Sequence, residues 1–378
     1  MKSKLSDICH YVKGKVDVSG LDNVTYISTE NMLPDKGGVT EAATLPNTAQ
    51  AQIYEHNDVL VSNIRPYFKK IWFANQDGGC SNDVLVFRAN EGVEPGFLYY
   101  VLADDKFFNY SMATSKGTKM PRGDKKTLME YEVPDFYIGT QRKVASLLGE
   151  IDEKIRTNNE INKNLEEQAQ ALFDDFFLHH DVLPVGWKQG SLLDIADYLN
   201  GLAMQKFRPT DNEDGIPVLK IKELRQGMCD SSSELCSPNI NAEYIVSDGD
   251  VIFSWSGSLL VDFWCGGTCG LNQHLFKVTS SKYDKWFYYA WTKHHLAKFI
   301  ALASAMATTM GHIKRSELAN SDVLIPSDSD YEYIGSVLQP IYDLIIANRI
   351  ENVQLSNLRD ELLPQLMSGE LDVSEVEL

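Results

Sequence analysis

Two stretches of this chain carry the same heptad pattern 190 residues apart, and this repeat limits the possible folds more than any other feature. Each stretch has an apolar residue at every seventh position and an asparagine at the third step. A seven-residue apolar repeat is typical of a helix that packs along a partner helix, and a lone asparagine in the seam costs stability but fixes register or partner. The matched pattern predicts two long helices that pair, although a polar break in two ordinary amphipathic helices is the simpler alternative. The seam residues are Val144, Ile151, Asn158, Leu165 and Leu172 in the first stretch and Ile334, Ile341, Asn348, Leu355 and Leu362 in the second.

The similarity between the two halves extends beyond the helices. Short matches recur throughout the chain at offsets that drift between 187 and 192 residues. Such a drift indicates two copies of one domain with loop insertions, because a short solenoid repeat would keep a much smaller period. The matches are Leu5, Asp7 and Ile8 with Leu192, Asp194 and Ile195; Asp58-Val59-Leu60 with Asp250-Val251-Ile252; Tyr99-Tyr100 with Tyr288-Tyr289; and Met120 and Leu128 with Met310 and Leu318.

Each copy is predicted to contain short strands, one aromatic helix and a long helix. Turn residues bound the strands, and the rings of the aromatic helix are most simply core residues. Gly149 and Pro340 weaken helix at the second turn, so each long helix is expected to begin with a kinked or separate turn. The predicted strands are 59–61, 84–87, 251–253 and 275–278; the aromatic helices are 97–102 and 286–291; the turn signals are Gly78-Gly79, Asp248-Gly249 and Gly266-Gly267, the last interpreted as a hairpin.

Together these patterns predict an α+β chain with two globular α/β units of the same plan. Each unit is followed by a long helix, and the two helices are expected to pair as an antiparallel coiled coil. The predicted boundaries are 1–139 for the first globular unit, 140–178 for the first spacer helix, 179–328 for the second unit, 329–367 for the second helix and 368–378 for an acidic tail.

Composition excludes several classes of protein. The apolar fraction is 43% and the aromatic fraction 10%, which is too high for a wholly disordered chain. The longest weakly polar run, 299–310, is too short to cross a bilayer, and the N-terminus has no apolar leader segment, so a soluble cytoplasmic protein is expected. The six cysteines are irregularly spaced, as is usual for reduced thiols. Cys229, Cys236, Cys265 and Cys269 could be read as zinc ligands, but their spacing fits the usual pattern poorly.

The charge distribution is uneven. The net charge of −18 is unusual for a protein that contacts DNA phosphates. Half of this excess lies between positions 328 and 378, where eleven acidic residues face only two arginines. Basic residues cluster elsewhere, between positions 116 and 126. The remainder of the chain can therefore still present a local basic surface.

No catalytic motif accompanies this architecture. An adenine methyltransferase holds the flipped base with an Asn-Pro-Pro-Tyr or Asp-Pro-Pro-Tyr loop, and the sequence contains no Pro-Pro pair. The glycine-rich segment 266–270 matches neither a phosphate loop nor a dinucleotide fingerprint. The histidine pairs at 179–180 and 294–295 have no acidic or cysteine partner at ligand spacing. No metal or cofactor is expected in this chain.

Several segments resemble the specificity (S) subunits of type I restriction–modification systems. Three regions carry the resemblance: the first spacer helix, the C-terminal end of the second, and the lead-in to the second globular unit. The matching runs are Gln141-Arg142-Lys143-Val144-Ala145-Ser146-Leu147-Leu148, Ile151-Asp152-Glu153-Lys154-Ile155, Asn158-Asn159, Asn164-Leu165-Glu166, Gln168-Ala169-Gln170-Ala171-Leu172-Phe173, Leu183-Pro184-Val185-Gly186-Trp187 and Leu362-Leu363-Pro364-Gln365-Leu366-Met367-Ser368-Gly369-Glu370-Leu371. The first copy departs from this pattern because it lacks the Pro-Gly-Trp lead-in.

The resemblance implies a non-catalytic DNA reader. Each globular unit would be a target-recognition domain for one half of a bipartite, asymmetric DNA target, and the helices would set the spacing. Two methyltransferase (M) subunits carrying S-adenosylmethionine would dock on the helices and methylate adenine, and a motor–nuclease (R) subunit would join for cleavage. Two other functions stay open at this point: a structural coiled-coil scaffold, and a recognition region split from a nuclease–methyltransferase enzyme.

Basic and polar residues at matching places in both copies are the candidate DNA contacts. In each copy one group follows a strand and the other precedes the strand that leads into the long helix. Loop cations usually only solvate a surface, so the matched position carries more weight than any single residue. The candidates are Arg65, Tyr67, Lys69, Lys70, Lys116, Lys119, Arg122, Lys125 and Lys126 in the first copy, and Ser256, Ser258, His312, Lys314 and Arg315 in the second.

Overall fold

A computed structural model describes residues 2–117, 119–305 and 312–373, and the chain forms two compact units. Unit 1 comprises residues 1–153 and 356–378, and unit 2 comprises residues 154–355. Each unit therefore contains part of both long helices. Met310, one of the predicted repeat positions, and the last five residues of the predicted acidic tail lie outside the described residues.

Unit 1 is built from short strands and four short helices, followed by the long helix α5. Its strands are β1 (Lys2–Lys4), β2 (Cys9–Tyr11), β3 (Lys15–Asp17), β4 (Tyr26–Ile27), β5 (Gln50–Tyr54), β6 (Val59–Ser62), β7 (Ile71–Phe73), β8 (Gly78–Cys80), β9 (Val84–Ala89) and β10 (Glu132–Pro134). Its helices are α1 (Leu5–Ile8), α2 (Pro95–Ala103), α3 (Asp105–Ala113), α4 (Lys125–Leu128) and the start of α5 (Ile138–Phe177), with 3₁₀ turns at Val18–Gly20 and Pro66–Phe68.

Unit 2 has a similar order of elements with one additional short helix, and it is followed by the long helix α11. Its strands are β11 (Lys188–Ser191), β12 (Asp197–Asn200), β13 (Ile216–Leu219), β14 (Leu235–Cys236), β15 (Ile245–Val246), β16 (Val251–Ser254), β17 (Leu260–Phe263), β18 (Cys269–Leu271), β19 (Leu275–Thr279) and β20 (Asp322–Ile325). Its helices are α6 (Leu192–Ile195), α7 (Ile221–Gln226), α8 (Lys285–His294), α9 (Leu296–Ala305), α10 (Arg315–Ala319) and the start of α11 (Asp328–Ser368), with 3₁₀ turns at Met204–Lys206 and Ala242–Tyr244.

The sheets have the same plan in both units. A two-stranded sheet joins the first strand of the unit to the last, β1 with β10 and β11 with β20. A four-stranded antiparallel sheet has the order β2-β9-β6-β7 in unit 1 and β12-β19-β16-β17 in unit 2. The second four-stranded sheet has three equivalent strands in the two units. In unit 1, β4 runs parallel and β5 antiparallel to β8. In unit 2, β13 runs parallel and β15 antiparallel to β18. Its fourth strand is added at opposite edges, β3 beside β5 and β14 beside β13.

The matching sequence motifs form the same turns in both units. The carboxylate of Asp7 accepts the N–H of Lys4, and that of Asp194 accepts the N–H of Ser191, which caps the short helices α1 and α6. Asp58 and Asp250 likewise accept the N–H three residues earlier, at 2.7 and 2.9 Å. The repeat seen in the sequence is therefore a repeat of local hydrogen bonding.

The aromatic helices α2 and α8 lie in the cores. In α2 of unit 1, Phe97, Leu98 and Leu102 are fully buried. The aromatic rings of this helix are core residues, as predicted. The match of Tyr99-Tyr100 with Tyr288-Tyr289 is off by one residue. Tyr99 packs on Phe73 of β7 and Tyr289 packs on Phe263 of β17, so the equivalent residues are 190 apart, as are the helix caps Glu94 and Asp284.

The long helices pack antiparallel within each unit. In unit 1, Val144 and Leu148 of α5 share a core with Leu363 and Leu366 of α11. In unit 2, the opposite ends of the same helices share a second core, with Ala169, Phe173 and Phe177 from α5 and Ile334, Leu338, Tyr342 and Ile345 from α11. The predicted fold class, α+β with two units of one plan and paired long helices, is confirmed.

The seam does not stay on a strict heptad. Val144, Ile151, Asn158, Ile334 and Asn348 are buried, whereas Leu165, Leu172, Ile341, Leu355 and Leu362 are half-buried. Near the C-terminal end of each helix the buried position moves one residue onward, to Phe173 and Leu363. A straight α-helix with 3.6 residues per turn drifts away from a 3.5-residue repeat. Both of these ends pack on a globular core as well as on the other helix.

Four asparagines in unit 2 link the helices by hydrogen bonds. Asn158 donates to Asn352 at 2.9 Å and to Glu351 at 2.7 Å, and Asn348 donates to Asn162 at 2.9 Å. Asn162 and Asn352 are also 190 residues apart, so the repeat relates the pair Asn158–Asn352 to the pair Asn348–Asn162. Each seam asparagine therefore bonds to the asparagine one turn beyond the other.

Three local predictions were wrong. Helices α5 and α11 run without interruption through Gly149 and Pro340, so the expected separate first turn was wrong, and a kink at these positions stays a prediction. Gly78 and Gly79 lie inside β8 rather than in a turn. The Gly266-Gly267 segment is no hairpin, because β17 and β18 on its two sides belong to different sheets. Across the described parts of the chain, no helix is long and apolar enough to cross a membrane.

Candidate functional site

The candidate residues of each unit gather where the central strand of the antiparallel sheet ends. Ser62, the last residue of β6, donates a hydrogen bond from its hydroxyl to the carbonyl of Ile64 at 3.2 Å. Ser254, the last serine of β16, makes the same bond to the carbonyl of Ser256 at 3.3 Å. Both strands therefore leave the sheet through the same turn. We call the segments that follow, 63–70 and 255–259, the first loops.

A second segment meets the first loop in both units. The backbones of Ile64 and Arg122 form a β-bridge in unit 1, and those of Ser256 and His312 form one in unit 2. These partners are related by offsets of 192 and 190 residues, so the bridges are equivalent. We call residues 114–124 (residue 118 is not described) and 312–315 the second loops. The structure thus brings together, within each unit, the two groups of residues that the sequence matched.

Two residues of the unit 1 first loop have left-handed backbone conformations. Arg65 has φ 51° and ψ 66°, and Lys69 has φ 49° and ψ 41°, on either side of the 3₁₀ turn Pro66–Phe68. The conformation of Arg65 is held by its N–H, which donates to Pro121 at 2.9 Å, and by its carbonyl, which accepts from Phe68 at 3.0 Å. Left-handed backbone is uncommon for residues other than glycine.

Carboxylates neutralise three of the candidate cations. Lys69 pairs with Asp105 at 2.7 Å, Lys116 with Asp124 at 2.6 Å and Arg122 with Asp83 at 3.0 Å. The hydrogen bond from Lys116 holds the pKa of the Asp124 carboxyl below its usual range, and hydrogen bonds from Thr127 lower it further. These ion pairs tie Lys69 to α3, Lys116 to the N-cap of α4 and Arg122 to the turn before β9.

The other candidate side chains of unit 1 differ in exposure. Lys119, Lys125 and Lys126 are exposed, and no carboxylate pairs with them among the described residues. Lys70 is half-buried and donates to the carbonyl of Thr29 at 2.6 Å; burial lowers its pKa, and Glu30 partly opposes this. Tyr67 is half-exposed, with its ring against that of Phe68.

A cavity of about 200 Å³ lies between the two loops of unit 1. Its lining is mixed, with two cationic residues, two hydroxyl residues and three apolar residues. Phe68 and Met120 are exposed apolar residues at its edge that the sequence did not single out. The Nε of Arg65 and the Oδ1 of Asn63 nearby are buried without a hydrogen-bond partner. The lining residues are Thr29, Ser62, Ile64, Arg65, Phe68, Lys70 and Met120.

A larger open groove of about 430 Å³ lies elsewhere in unit 1, beside the start of α5. It is lined by Glu94 and Arg142, whose charged groups are 3.6 Å apart, but by none of the candidate DNA contacts. Size alone does not make it the site, because DNA is recognised by side chains that reach phosphates and base edges, and the two charged groups of this groove pair with each other.

The loops of unit 2 are less basic. Ser256 is only 5% exposed and its hydroxyl is bonded to His274 at 3.0 Å, so this predicted contact lies beneath the surface. Ser258 is exposed, and Lys314 and Arg315 are exposed at the start of α10. The ring of His312 lies 6.2 Å from that of Trp255. The sequence missed Trp255 and His274, although Trp255 directly precedes a predicted contact.

The alternative zinc site finds no support in the arrangement of side chains. Within the residues that the structure describes, no three His, Cys, Asp or Glu side chains are grouped to hold a metal ion. Cys229 and Cys269 are neighbours, while Cys265 belongs to a different core cluster. The cysteines have the character of core thiols.

Comparison with known proteins identifies the family. The family model described as type I restriction modification DNA specificity domain matches residues 1–167 and 184–355, once for each copy. The chain belongs to this family. A specificity subunit recognises the DNA sequence in a restriction–modification complex and is not itself the catalyst, so the predicted family, function class and absence of enzymatic activity are confirmed.

Individual relatives agree with the family. The MjaIX specificity subunit of Methanocaldococcus jannaschii is 27% identical over 308 residues, which cover 76% of this chain and 71% of the relative. The HindI specificity subunit of Haemophilus influenzae is 20% identical, with 97% of this chain and 98% of the relative covered. The crystal structure of the S subunit from M. genitalium superposes with a TM-score of 0.58 at 13% identity, covering 97% of this chain and 96% of that one. This last similarity shows a shared fold.

Proposed function

We propose that each unit of this specificity subunit reads one half of a bipartite, asymmetric DNA target through its first and second loops. The observation that carries the proposal is the duplication: two units of one fold, each with equivalent bridged loops, each matched separately by the DNA specificity family. The two sets of loops have different side chains, with basic residues in unit 1 and Trp255, Ser258 and His312 in unit 2. Because the two sets of loops have different side chains, we expect the two halves of the target to have different sequences.

The paired helices would set the distance between the half-targets and provide the docking surface for two M subunits. Those subunits would supply S-adenosylmethionine and methylate adenine, and an R subunit would join the complex for cleavage. The antiparallel packing of α5 and α11 in each unit supports this role, because such a helical pair is stiff and half-site spacing follows from the protein frame. A cytoplasmic location follows, since the substrate of the complex is cellular DNA.

Sequencing of methylated DNA from a strain that carries this system tests the proposal. We expect a motif of two short specified halves separated by a fixed number of unspecified bases, and we expect it to disappear when the gene for this chain is disrupted. Replacing both loops of unit 2 with those of a relative should change one half of the motif and leave the other intact. A motif that changes in both halves, or in neither, would contradict the assignment of one half to each unit.

A further inference from the structure

Arg65 occupies a backbone position that suits glycine. It follows Ser62 by three residues, and Gly257 follows Ser254 by three residues in the equivalent turn of unit 2. Gly257 has φ 66° and Arg65 has φ 51°, so both turns need left-handed backbone at this step. Glycine adopts that conformation without steric cost, whereas an arginine is strained there. Unit 1 therefore places a strained residue where unit 2 uses the relaxed one.

Packing does not explain the arginine. A Cβ added to Gly257 would meet only the side chain of Ile221, at 3.7 Å, so this position has room for a side chain in unit 2. In unit 1 the Arg65 side chain lines the 200 Å³ cavity and makes no ion pair or hydrogen bond within the described residues, and its Nε is buried without a partner. Strained residues that persist without a structural benefit are concentrated at functional sites.

The surrounding charges set Arg65 apart from its neighbours. Lys69, Lys116 and Arg122 are each held by a carboxylate, and Lys70 is held by a carbonyl. Lys119, Lys125 and Lys126 are exposed and have long side chains, which suits phosphate contacts that carry no sequence information. Among the described cations of these loops, Arg65 combines a fixed backbone with a guanidinium that has no hydrogen-bond or ion-pair partner, and Phe68 and Met120 line the same cavity.

We propose that Arg65 reads a guanine in the half-target of unit 1 by donating two hydrogen bonds to O6 and N7. The inference rests on the proposed function, since it requires the loops of unit 1 to face DNA. A planar guanidinium with no protein acceptor matches the acceptor pair on the major-groove edge of guanine, which is the commonest specific contact of arginine. Lys69, Lys116 and Arg122 position the loops and do not read bases.

The decisive variant is Arg65→Gly, which copies the residue of unit 2. Its backbone is expected to relax, so the melting temperature of the purified chain should stay unchanged or rise. In complex with its methyltransferase partner, this variant should select from a randomised DNA pool a motif that has lost its preference at one position only, a guanine. Affinity for the original target should fall roughly 5- to 150-fold.

Arg65→Lys separates a base contact from a phosphate contact. Lysine keeps the charge but lacks the rigid fork, so guanine selection should be lost almost as fully as in Arg65→Gly. Lys126→Ala is the matched control: it should weaken all sequences alike and leave the motif intact. Substituting 7-deazaguanine for the assigned base should weaken binding of the unaltered complex but cause no further loss in Arg65→Gly.

Three results would overturn the inference: Arg65→Gly selects the unaltered motif, Arg65→Lys retains full selectivity, or the position that loses its preference is not a guanine. Failure of the proposed function looks different, because exchanging the loops of unit 2 would then change both halves of the motif or neither half, whatever the Arg65 variants do.

Discussion

Side-chain contacts in this chain are of two kinds, those between residues a few positions apart and those between residues distant in the sequence. The aspartates of the repeated motifs were visible because a side chain that accepts a nearby N–H must lie at a fixed distance along the chain. Asp7, Asp58, Asp194 and Asp250 all do this. The pairing of Lys69, Lys116 and Arg122 with carboxylates was invisible, since two of these partners lie about 36 and 39 positions away. Which loop cations are free therefore could not be predicted from the sequence.

Asp58 should be important for stability. Its side chain is 1% exposed, accepts two hydrogen bonds from Arg88 at 2.7 and 2.8 Å, and accepts the N–H of Glu55. Asp58→Asn should lower the free energy of unfolding by about 2–3 kcal/mol. This is less than the usual cost of breaking a fully buried ion pair, because the Arg88 side chain is one-third exposed to solvent. Denaturant unfolding measures this. Lys4→Ala, which breaks the exposed pair with Glu130, should cost under about 1 kcal/mol; an equal loss in both would contradict the prediction.

His295 should make unit 2 sensitive to mild acid. Burial lowers its pKa below the ordinary 6.5, and nearby His294 and Lys298 lower it further, against the bond that its Nε2 donates to the carbonyl of Asp322. The unfolded chain then binds the proton more readily than the folded one. The stabilisation is present above the unfolded value of 6.5 and is lost as the pH falls through the lowered folded value.

His295→Gln keeps a donor for the Asp322 carbonyl but cannot titrate. Urea unfolding at about pH 7.5 and about pH 5.5 should therefore show a smaller loss of stability in this variant than in the unaltered chain. The matched control is His179→Gln, which makes the same substitution at a histidine whose side chain is 71% exposed. If His295→Gln loses as much stability as the unaltered chain over this pH range, His295 does not cause the sensitivity.

At the scale of elements, periodicity predicted the long helices well because a buried stripe must recur at the helical period. The strands Val59–Ser62 and Val251–Ser254 were predicted from a different signal, a short run of mostly apolar residues, and all four residues of each strand are buried. Neither signal predicted β3 and β14, which are two or three residues long and lie at sheet edges. Strands this short are defined by their partners, which the sequence does not reveal.

The asparagine pair in the helix seam should behave as a unit. Asn348 donates to Asn162, both are buried, and Asn162 donates to the carbonyl of Ile345. Asn348→Leu alone should destabilise the chain by about 1–3 kcal/mol, because it leaves the Asn162 oxygen buried without a donor. Asn162→Leu together with Asn348→Leu should recover that loss and exceed the original stability, while alternative registers become populated.

Unfolding of the two single variants and the double variant measures the coupling, and crosslinking between engineered cysteines in α5 and α11 reports the register. Lys163→Ala, at an exposed position of the same helix, is the control and should change stability little. Additive effects of the two leucines would show that the asparagines do not interact. The seam asparagines of the heptad, Asn158 and Asn348, are the wrong pair to replace together, because each bonds to a different partner.

For the whole molecule, the duplication was the strongest signal in the sequence, because matched offsets across 378 residues cannot arise from composition alone. It predicted two units of one plan but not where they differ. The fourth strand of the second sheet lies at opposite edges in the two units, and only unit 1 has a basic pair of loops. The edge strand and the loops lie outside the shared core, so their sequences can differ between the two units without disturbing the fold.

The charge of the whole chain predicts how it binds DNA. The net charge is −18, and three loop cations of unit 1 are already paired with carboxylates, so the isolated chain is expected to release few counterions from DNA. If the proposed M subunits add basic surface, the complex should bind its target at least about tenfold more tightly than the chain alone at physiological salt, with a steeper salt dependence. Titration of labelled target DNA at two salt concentrations measures both quantities.

The double variant Lys125→Ala, Lys126→Ala should weaken binding of the complex to target and non-target DNA alike, because exposed lysines contact phosphate. Equal affinity of the chain and the complex would show that the paired loop cations are released on binding and that the chain alone carries the DNA-binding surface.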